Sequence, residues 1–334
     1  MTFRAIVIDQ VRDGSRITEH SARLRELTDD ELMPGDVTID VSHSGINFKD
    51  GLALAGKPGV VSTSPLIPGI DLVGTVTASD DPRWQPGEIV ILNGDGIGER
   101  HHGGLAERAR VRGDALVALP EGISPARAAA IGTAGFTAML CVLALDRNGV
   151  TPDSGDILVT GAAGGVGSVA IALLSRRGYR VTASSGRAEA EAPYLIDLGA
   201  SAIFDRTELG EPGRPMQKQR WAGAIDSVGS ATLANVLAQT NYGGVVAACG
   251  LAQGADLPAT VLPFILRAVT LAGVNSVDAP LPLRQQAWAA LAAELDLELL
   301  DKLSTTIPLS DAFGRAEDIL AGRVRGRTVV DVCA

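Results

Sequence analysis

Between Asp156 and Arg187 the chain reads DILVTGAAGGVGSVAIALLSRRGYRVTASSGR. A β-branched run, a glycine cluster, an apolar stretch of helix length and a second β-branched run follow one another almost without linkers. The order predicts strand, tight turn, helix, strand, the crossover that a pair of parallel strands requires. Ala162, Gly164 and Gly167 fill the three small-residue positions of a dinucleotide fingerprint. Gly164 lets the backbone approach a pyrophosphate, and Gly167 lets the helix pack close to the strand. Ala163, Gly165 and Val166 are counted with Gly164 as contacts, because the free N–H groups of the helix N-terminus face the phosphates. A plain strand-to-helix turn would read similarly, but the βαβ context favours dinucleotide binding.

The second strand of such a unit ends in a carboxylate when the ribose hydroxyls of NAD are to be bound. Here it ends in Ser184, Ser185, Gly186 and Arg187. A carboxylate would repel a 2′-phosphate, whereas hydroxyls and the planar fork of a guanidinium would bind one. Ser185, Gly186 and Arg187 therefore point to NADPH, and Arg206, after the next strand, can close over the same phosphate. A solvated polar turn is the alternative.

At 334 residues the chain exceeds most single cores, so two domains are expected. Composition is that of a packed globular protein, with 46% hydrophobic and 20% charged residues. The net charge of -10 and the absence of any Lys/Arg run argue against a nucleic-acid partner. The three cysteines, Cys141, Cys249 and Cys333, are too scattered for a disulfide framework. The N-terminal MTFRAIVIDQ reads as a strand rather than a signal peptide, and no segment reads as a membrane span. A cytoplasmic protein is expected.

The first third consists of short strand-like runs broken by Pro and Gly, which suggests a barrel or sandwich. From Asp156 strands and helices alternate, which suggests a parallel sheet covered by helices. After Pro282 one helical run, RQQAWAALAAELDLELL, is expected. A strand, a helix capped by Ser310 and a last strand RTVVDV follow.

The stretches PGIDLVGTV, PGEIV, GGLAERARV, GTAGFTA, VTGAAGGVGS and GGVVAACG occur in an order that resembles the medium-chain dehydrogenase/reductase superfamily. GINFKDGLAL together with SSGR most resembles the acrylyl-CoA reductase (NADPH) branch of its zinc-free quinone oxidoreductase group. The resemblance implies an α/β protein: a GroES-like β-barrel catalytic domain over 1–128 and 279–334, and a Rossmann doubly wound parallel sheet over 129–278. Zinc members carry Cys and Gly-His-Glu ligands where this chain has SHSGINFKD and PGIDLVG, so no metal is expected. His43 and the adjacent pair His101 and His102 are taken as ordinary polar residues, the pair at the surface.

Asn47 and Phe48 fall, by the resemblance, in the loop facing the nicotinamide. Asn47 is expected to bond a ribose hydroxyl or the substrate oxygen. Phe48 replaces the Tyr usual in relatives, which keeps an apolar wall and removes a proton donor. Lys49 and Asp50 are the next candidates for that role; a surface ion pair between them is the alternative. Strand ends place Leu251 and Ser276 near the cofactor. Thr137 is assigned to the nicotinamide amide by resemblance, and Ile265 to an apolar wall or the core. Tyr242 reads as packing.

The expected activity is reduction of the carbon–carbon double bond of a short enoyl thioester such as acrylyl-CoA by NADPH. Reduction of quinones or enones, and non-catalytic NADPH binding, are the alternatives. The apolar RAVTLAGVNSV reads as a sheet edge that a second copy covers, giving a homodimer.

Overall fold

The computed structural model describes residues 2–334, which form two compact units. The first comprises residues 2–136, 276–292 and 300–334, the second residues 137–275 and 293–299. The expected break at 128/129 falls inside one long helix, Pro125–Arg147, which turns sharply at Gly132 (φ +48°).

In the first unit a seven-stranded sheet runs in the order Ser304–Pro308, Arg327–Asp331, Val37–Gly45, Asp71–Ser79, Ile89–Asn93 and Val117–Ala118, with Arg108–Val111 also pairing Val37–Gly45. All its pairings are antiparallel except that of the first two strands. Alternate residues of Val37–Gly45 turn inward, so Val37, Ile39 and Val41 join Leu72, Val76, Leu92 and Val330 in one core. A hairpin of Thr2–Asp13 and Arg16–Thr28 stands apart from this sheet. The short helix Phe48–Leu54 packs on helix Ala312–Leu320 through Gly51, where a Cβ would come within 2.9 Å of Ile319.

The second unit holds a six-stranded, wholly parallel sheet. Its order is Ala202–Asp205, Val181–Ser185, Ile157–Val159, Trp221–Asp226, Thr240–Ala248, Thr270–Gly273. Counted within the unit this is 3-2-1-4-5-6, the doubly wound order with its switch point between the strands at 157–159 and 221–226. These two strands are buried along their whole length, which is why the sequence shows unbroken apolar runs there.

Several expectations fail locally. The helical run after Pro282 is two helices, Leu281–Glu294 and Leu297–Leu303, because the Asp296 carboxylate accepts the N–H groups of Glu298 and Leu299 and starts the second. Ser310 is not a cap: it lies in a 3-10 turn, its hydroxyl bonded to Asp311, and the helix begins at Ala312. Tyr242 lies within strand Thr240–Ala248 and is 76% exposed, so it packs no core. One helix, Pro125–Arg147, is long and apolar enough to cross a membrane, contrary to expectation; 94% of its most apolar window is buried in the protein.

Candidate active site

The glycine turn of the second unit is built as a phosphate cradle. Strand Ile157–Val159 leads into it, and helix Gly165–Arg176 leaves it with Gly164 as an N-cap that offers no side-chain acceptor. The orphan N–H groups of the first helical turn thus keep their partial positive charge for a ligand. Gly167 is obligatory: a Cβ there would lie 2.5 Å from the Gly161 carbonyl oxygen and 2.7 Å from the Ala162 Cα. Gly164 has ordinary extended backbone, whereas Gly161, which the sequence reading passed over, has φ +61°. Ala163 is buried behind the turn, and Gly165 and Val166 are half-buried at the helix start.

A second feature missed in the sequence is Asp226, at the end of strand Trp221–Asp226. Its carboxylate accepts from the Thr160 hydroxyl (2.7 Å) and the Gly229 N–H (2.8 Å). Ser227 closes the other side, its hydroxyl donating to the Thr160 carbonyl (3.2 Å). Burial pushes the Asp226 carboxyl up from its ordinary range, and these hydrogen bonds oppose the shift. Asp226 thereby ties the start of the glycine turn to the loop after its neighbouring strand. An acidic residue ending the apolar run WAGAID, followed by Ser-Val-Gly, was the available signal.

The end of strand Val181–Ser185 carries no carboxylate. Ser184 and Ser185 are buried, and the Ser185 hydroxyl accepts the Arg187 N–H (3.2 Å). Arg206 lies across Gly186: a Cβ on Gly186 would sit 2.5 Å from the Arg206 Cζ, so a side chain there would make this guanidinium shift. Arg187 is held by one edge, its Nε and Nη2 on Glu191 Oε1 at 3.1 and 3.0 Å, a pair one helical turn apart. Two guanidinium groups therefore attend the strand end. Leu251 and Ile265 are 59% and 69% exposed, which rules out the core role weighed for Ile265. Thr137 is buried on the long helix of the same unit.

Asn47, Phe48, Lys49, Asp50 and Ser276 belong to the first unit. The expected role of Asn47 as a free hydrogen-bonding group does not hold. Its amide N–H groups go to Asp71 Oδ2 (2.7 Å) and Asp50 Oδ2 (3.2 Å), and its Oδ1 accepts from Arg327 Nη1 (2.9 Å). Both amide protons are spent within the first unit, one on Asp50 and one on the remote Asp71. Nor do Lys49 and Asp50 form a surface pair. Lys49 bridges to Glu99 (2.9 Å), while Asp50 is 1% exposed and accepts the N–H groups of Asn47 (2.8 Å) and Ile70 (3.0 Å). Burial, and after it the charge of Asp71, push the Asp50 carboxyl up to about 7. Phe48 is 41% exposed, the one apolar ring this loop presents.

The histidines also differ from expectation. His102 is buried, its Nδ1 accepting the Ile67 N–H (3.2 Å), and burial pushes it down to about 4, so it is neutral. His101 Nε2 meets the Pro34 carbonyl (2.9 Å). Among the described residues no three His, Cys, Asp or Glu side chains come together in a way that could hold a metal ion.

The sequence matches two families, the alcohol dehydrogenase GroES-like domain over residues 33–121 and the zinc-binding dehydrogenase over residues 165–295. It is 49% identical to acrylyl-CoA reductase AcuI of Ruegeria pomeroyi over 333 residues, 99% of this chain and 100% of that one. The chain belongs to the medium-chain dehydrogenase/reductase superfamily. Within this superfamily its fold superposes on the yhdH oxidoreductase of Salmonella enterica in complex with NADP. The TM-score is 0.94 at 52% identity, covering 98% of this chain and 99% of that one. Protein yhfP of Bacillus subtilis, with NAD bound, superposes with a TM-score of 0.93 at 41% identity over 99% and 100% of the two chains. The superfamily relationship accounts for both units, the GroES-like β domain and the Rossmann sheet. The donor set found here does not fit the zinc of the second family's description.

Proposed function

We propose that this protein reduces the carbon–carbon double bond of a short α,β-unsaturated acyl thioester, acrylyl-CoA or a close analogue, with NADPH and without a bound metal ion. The observation that carries the reading is the full-length identity to a reductase of that substrate. The two guanidinium groups at the end of strand Val181–Ser185 support NADPH over NADH. NADPH, when bound, supplies a hydride to the β-carbon.

The chain's own residues bind and orient. The helix N-terminus at Gly164, Gly165 and Val166 binds pyrophosphate, with Ala163 behind it. Ser185, Gly186, Arg187 and Arg206 bind the 2′-phosphate. In the second unit Thr137 holds the carboxamide and Leu251 and Ile265 are apolar walls; in the first, Phe48 is an apolar wall and Ser276 contributes a hydroxyl. In this reading residues 129–278 carry the cofactor, and 1–128 with 279–334 carry the Asn47 loop. No side chain of that loop is a proton donor: Phe48 has no hydroxyl, Lys49 is engaged with Glu99 and Asp50 is enclosed. Solvent water then delivers the proton to the α-carbon.

Loss of NADPH absorbance with acrylyl-CoA, undiminished by a chelator, is the expected result. Turnover of a small quinone with none of acrylyl-CoA would transfer the protein to the quinone reductases. Tight NADPH binding with turnover of neither would make it a non-catalytic binder, and loss of activity to the chelator would overturn the metal-free reading.

The same reading includes a homodimer and a cytoplasmic location, the latter consistent with three cysteines outside any disulfide. Strand Thr270–Gly273 ends the sheet order, and Val261 and Leu266, just before it, are 64% and 60% exposed. An uncovered apolar edge invites pairing. Light scattering is expected to give twice the chain mass at micromolar concentration; a monomer would contradict the dimer.

A further inference from the structure

A buried polar network crosses the first unit, and Asp71 is its hub. Oδ1 of Asp71 accepts from Asn93 Nδ2 (2.8 Å), the Thr133 N–H (2.6 Å) and the Thr133 hydroxyl (2.7 Å). Oδ2 accepts from Asn47 Nδ2 (2.7 Å) and faces Arg327 Nη2 at 3.5 Å. Arg327, from strand Arg327–Asp331, is 3% exposed. It donates Nε to the Ala130 carbonyl (2.7 Å) and Nη1 to Asn47 Oδ1 (2.9 Å).

A buried ion pair is a poor source of stability. Desolvation of each charge costs several kcal/mol, and a well-packed apolar pair of the same volume is often as stable. This one is also imperfect, because Nη2 of Arg327 is buried without a hydrogen-bond partner. The backbone is nevertheless built to admit it. At Gly132 the long helix turns with φ +48°, and a Cβ there would lie 2.5 Å from both Arg327 Nη2 and Asp71 Oδ2. A helix interruption and a glycine have been accepted so that a guanidinium can reach Asn47.

What the guanidinium reaches decides the orientation of that amide. Asn47 has Arg327 on its oxygen and Asp71 and Asp50 on its nitrogen, so it cannot flip without setting its nitrogen against the guanidinium donor and its oxygen against carboxylate oxygens. Asn47 opens the helix Phe48–Leu54, and its N–H is held by Asp50. Fixing Asn47 therefore fixes the backbone that presents Phe48.

We propose that Arg327 is a positioning residue for the Asn47–Asp50 loop, acting through the Asn47 amide and Asp71, and that its loss lowers turnover rather than cofactor affinity. The kinetic half of this statement rests on the reductase reading above; the structural half does not.

Two arms keep them apart. In the first, hydrogen exchange of the cofactor-free protein is compared for wild type, Arg327→Met, Arg327→Lys and Asn47→Ala. The peptide covering Ile46–Leu54 is expected to lose protection in Arg327→Met and Asn47→Ala, with strand Ile89–Asn93 unchanged, and Arg327→Lys to restore part of it. Uniform loss across the unit, or none at 46–54 in Asn47→Ala, overturns the proposal whatever the reaction proves to be. In the second, kcat with acrylyl-CoA is expected to fall about ten- to hundredfold in Arg327→Met, as a small misplacement of a site loop can cause. The dissociation constant for NADPH is expected to stay within about twofold, well under the tenfold that 1.4 kcal/mol would give. The double variant Arg327→Met/Asn47→Ala should be no slower than the slower single one; multiplicative effects would mean independent roles and overturn the proposal.

Discussion

Arg187→Asp is expected to abolish most of the preference for NADPH over NADH. The 2′-phosphate carries close to two negative charges, and a charge-assisted hydrogen bond to it is worth about 1.5–3 kcal/mol. At about 1.4 kcal/mol per factor of ten, loss of that bond raises KM for NADPH roughly ten- to hundredfold. The geometry adds a second effect. Glu191 is 7% exposed and is paired with Arg187. Replacing the guanidinium with a carboxylate leaves two negative groups at the strand end, and it offers NADH an acceptor for its ribose hydroxyls. Arg206 remains over Gly186, so binding weakens without vanishing. The change should appear in KM more than in kcat, since the contact is remote from the reacting carbon and alike in ground and transition states. Steady-state kinetics with both cofactors check this. Equal use of NADH and NADPH by the wild type would show that these guanidinium groups do not select, as the NAD-bound relative makes worth testing.

The pH dependence of stability should be reshaped by Asp50→Asn. Burial, and after it the charge of Asp71, push this carboxyl up to about 7 in the folded protein from 3.8. Between those values the native chain holds a proton that the unfolded chain has released. Stability from this group is fully present below about 4, is lost as pH rises, and settles above about 7 at a penalty on the order of 4 kcal/mol. Asn keeps the shape and cannot ionise. Below about pH 4 the variant gains nothing and loses one acceptor for the Asn47 and Ile70 N–H groups. At pH 8 it escapes the buried charge. The difference in unfolding free energy between variant and wild type should therefore rise by several kcal/mol toward the variant from pH 4 to pH 8. Denaturant unfolding across that range measures it. Parallel curves would mean that Asp50 ionises in the fold as readily as in water.

The second unit was largely legible because a parallel sheet buried on both faces leaves unbroken apolar runs between helices, and because its glycine turn is local. The strand order itself was not legible, because alternation and right-handed crossovers allow both 3-2-1-4-5-6 and 2-1-3-4-5. The Asn47 loop was misread because its partners are remote in sequence. PGIDLVG was read only for the ligands it lacks, although its Asp71 is the hub of the network, and Arg327 sits at the far end of the chain. Lys49 and Asp50 look like a pair in the sequence, but adjacent helical residues point in different directions and each found another partner. The tether of Arg187 to Glu191 at i+4 was readable by the same rule and was overlooked.

Where the reducing equivalent goes decides the reaction. Acrylyl-CoA incubated with NADPH deuterated at its transferable position, and the product read by mass spectrometry and NMR, tests that directly. The expected result is one deuterium per molecule of propionyl-CoA, in the methyl group that was the β-carbon, and an α-proton taken from solvent. Unlabelled thioester recovered intact, while NADPH is oxidised only when a quinone is supplied, would contradict it.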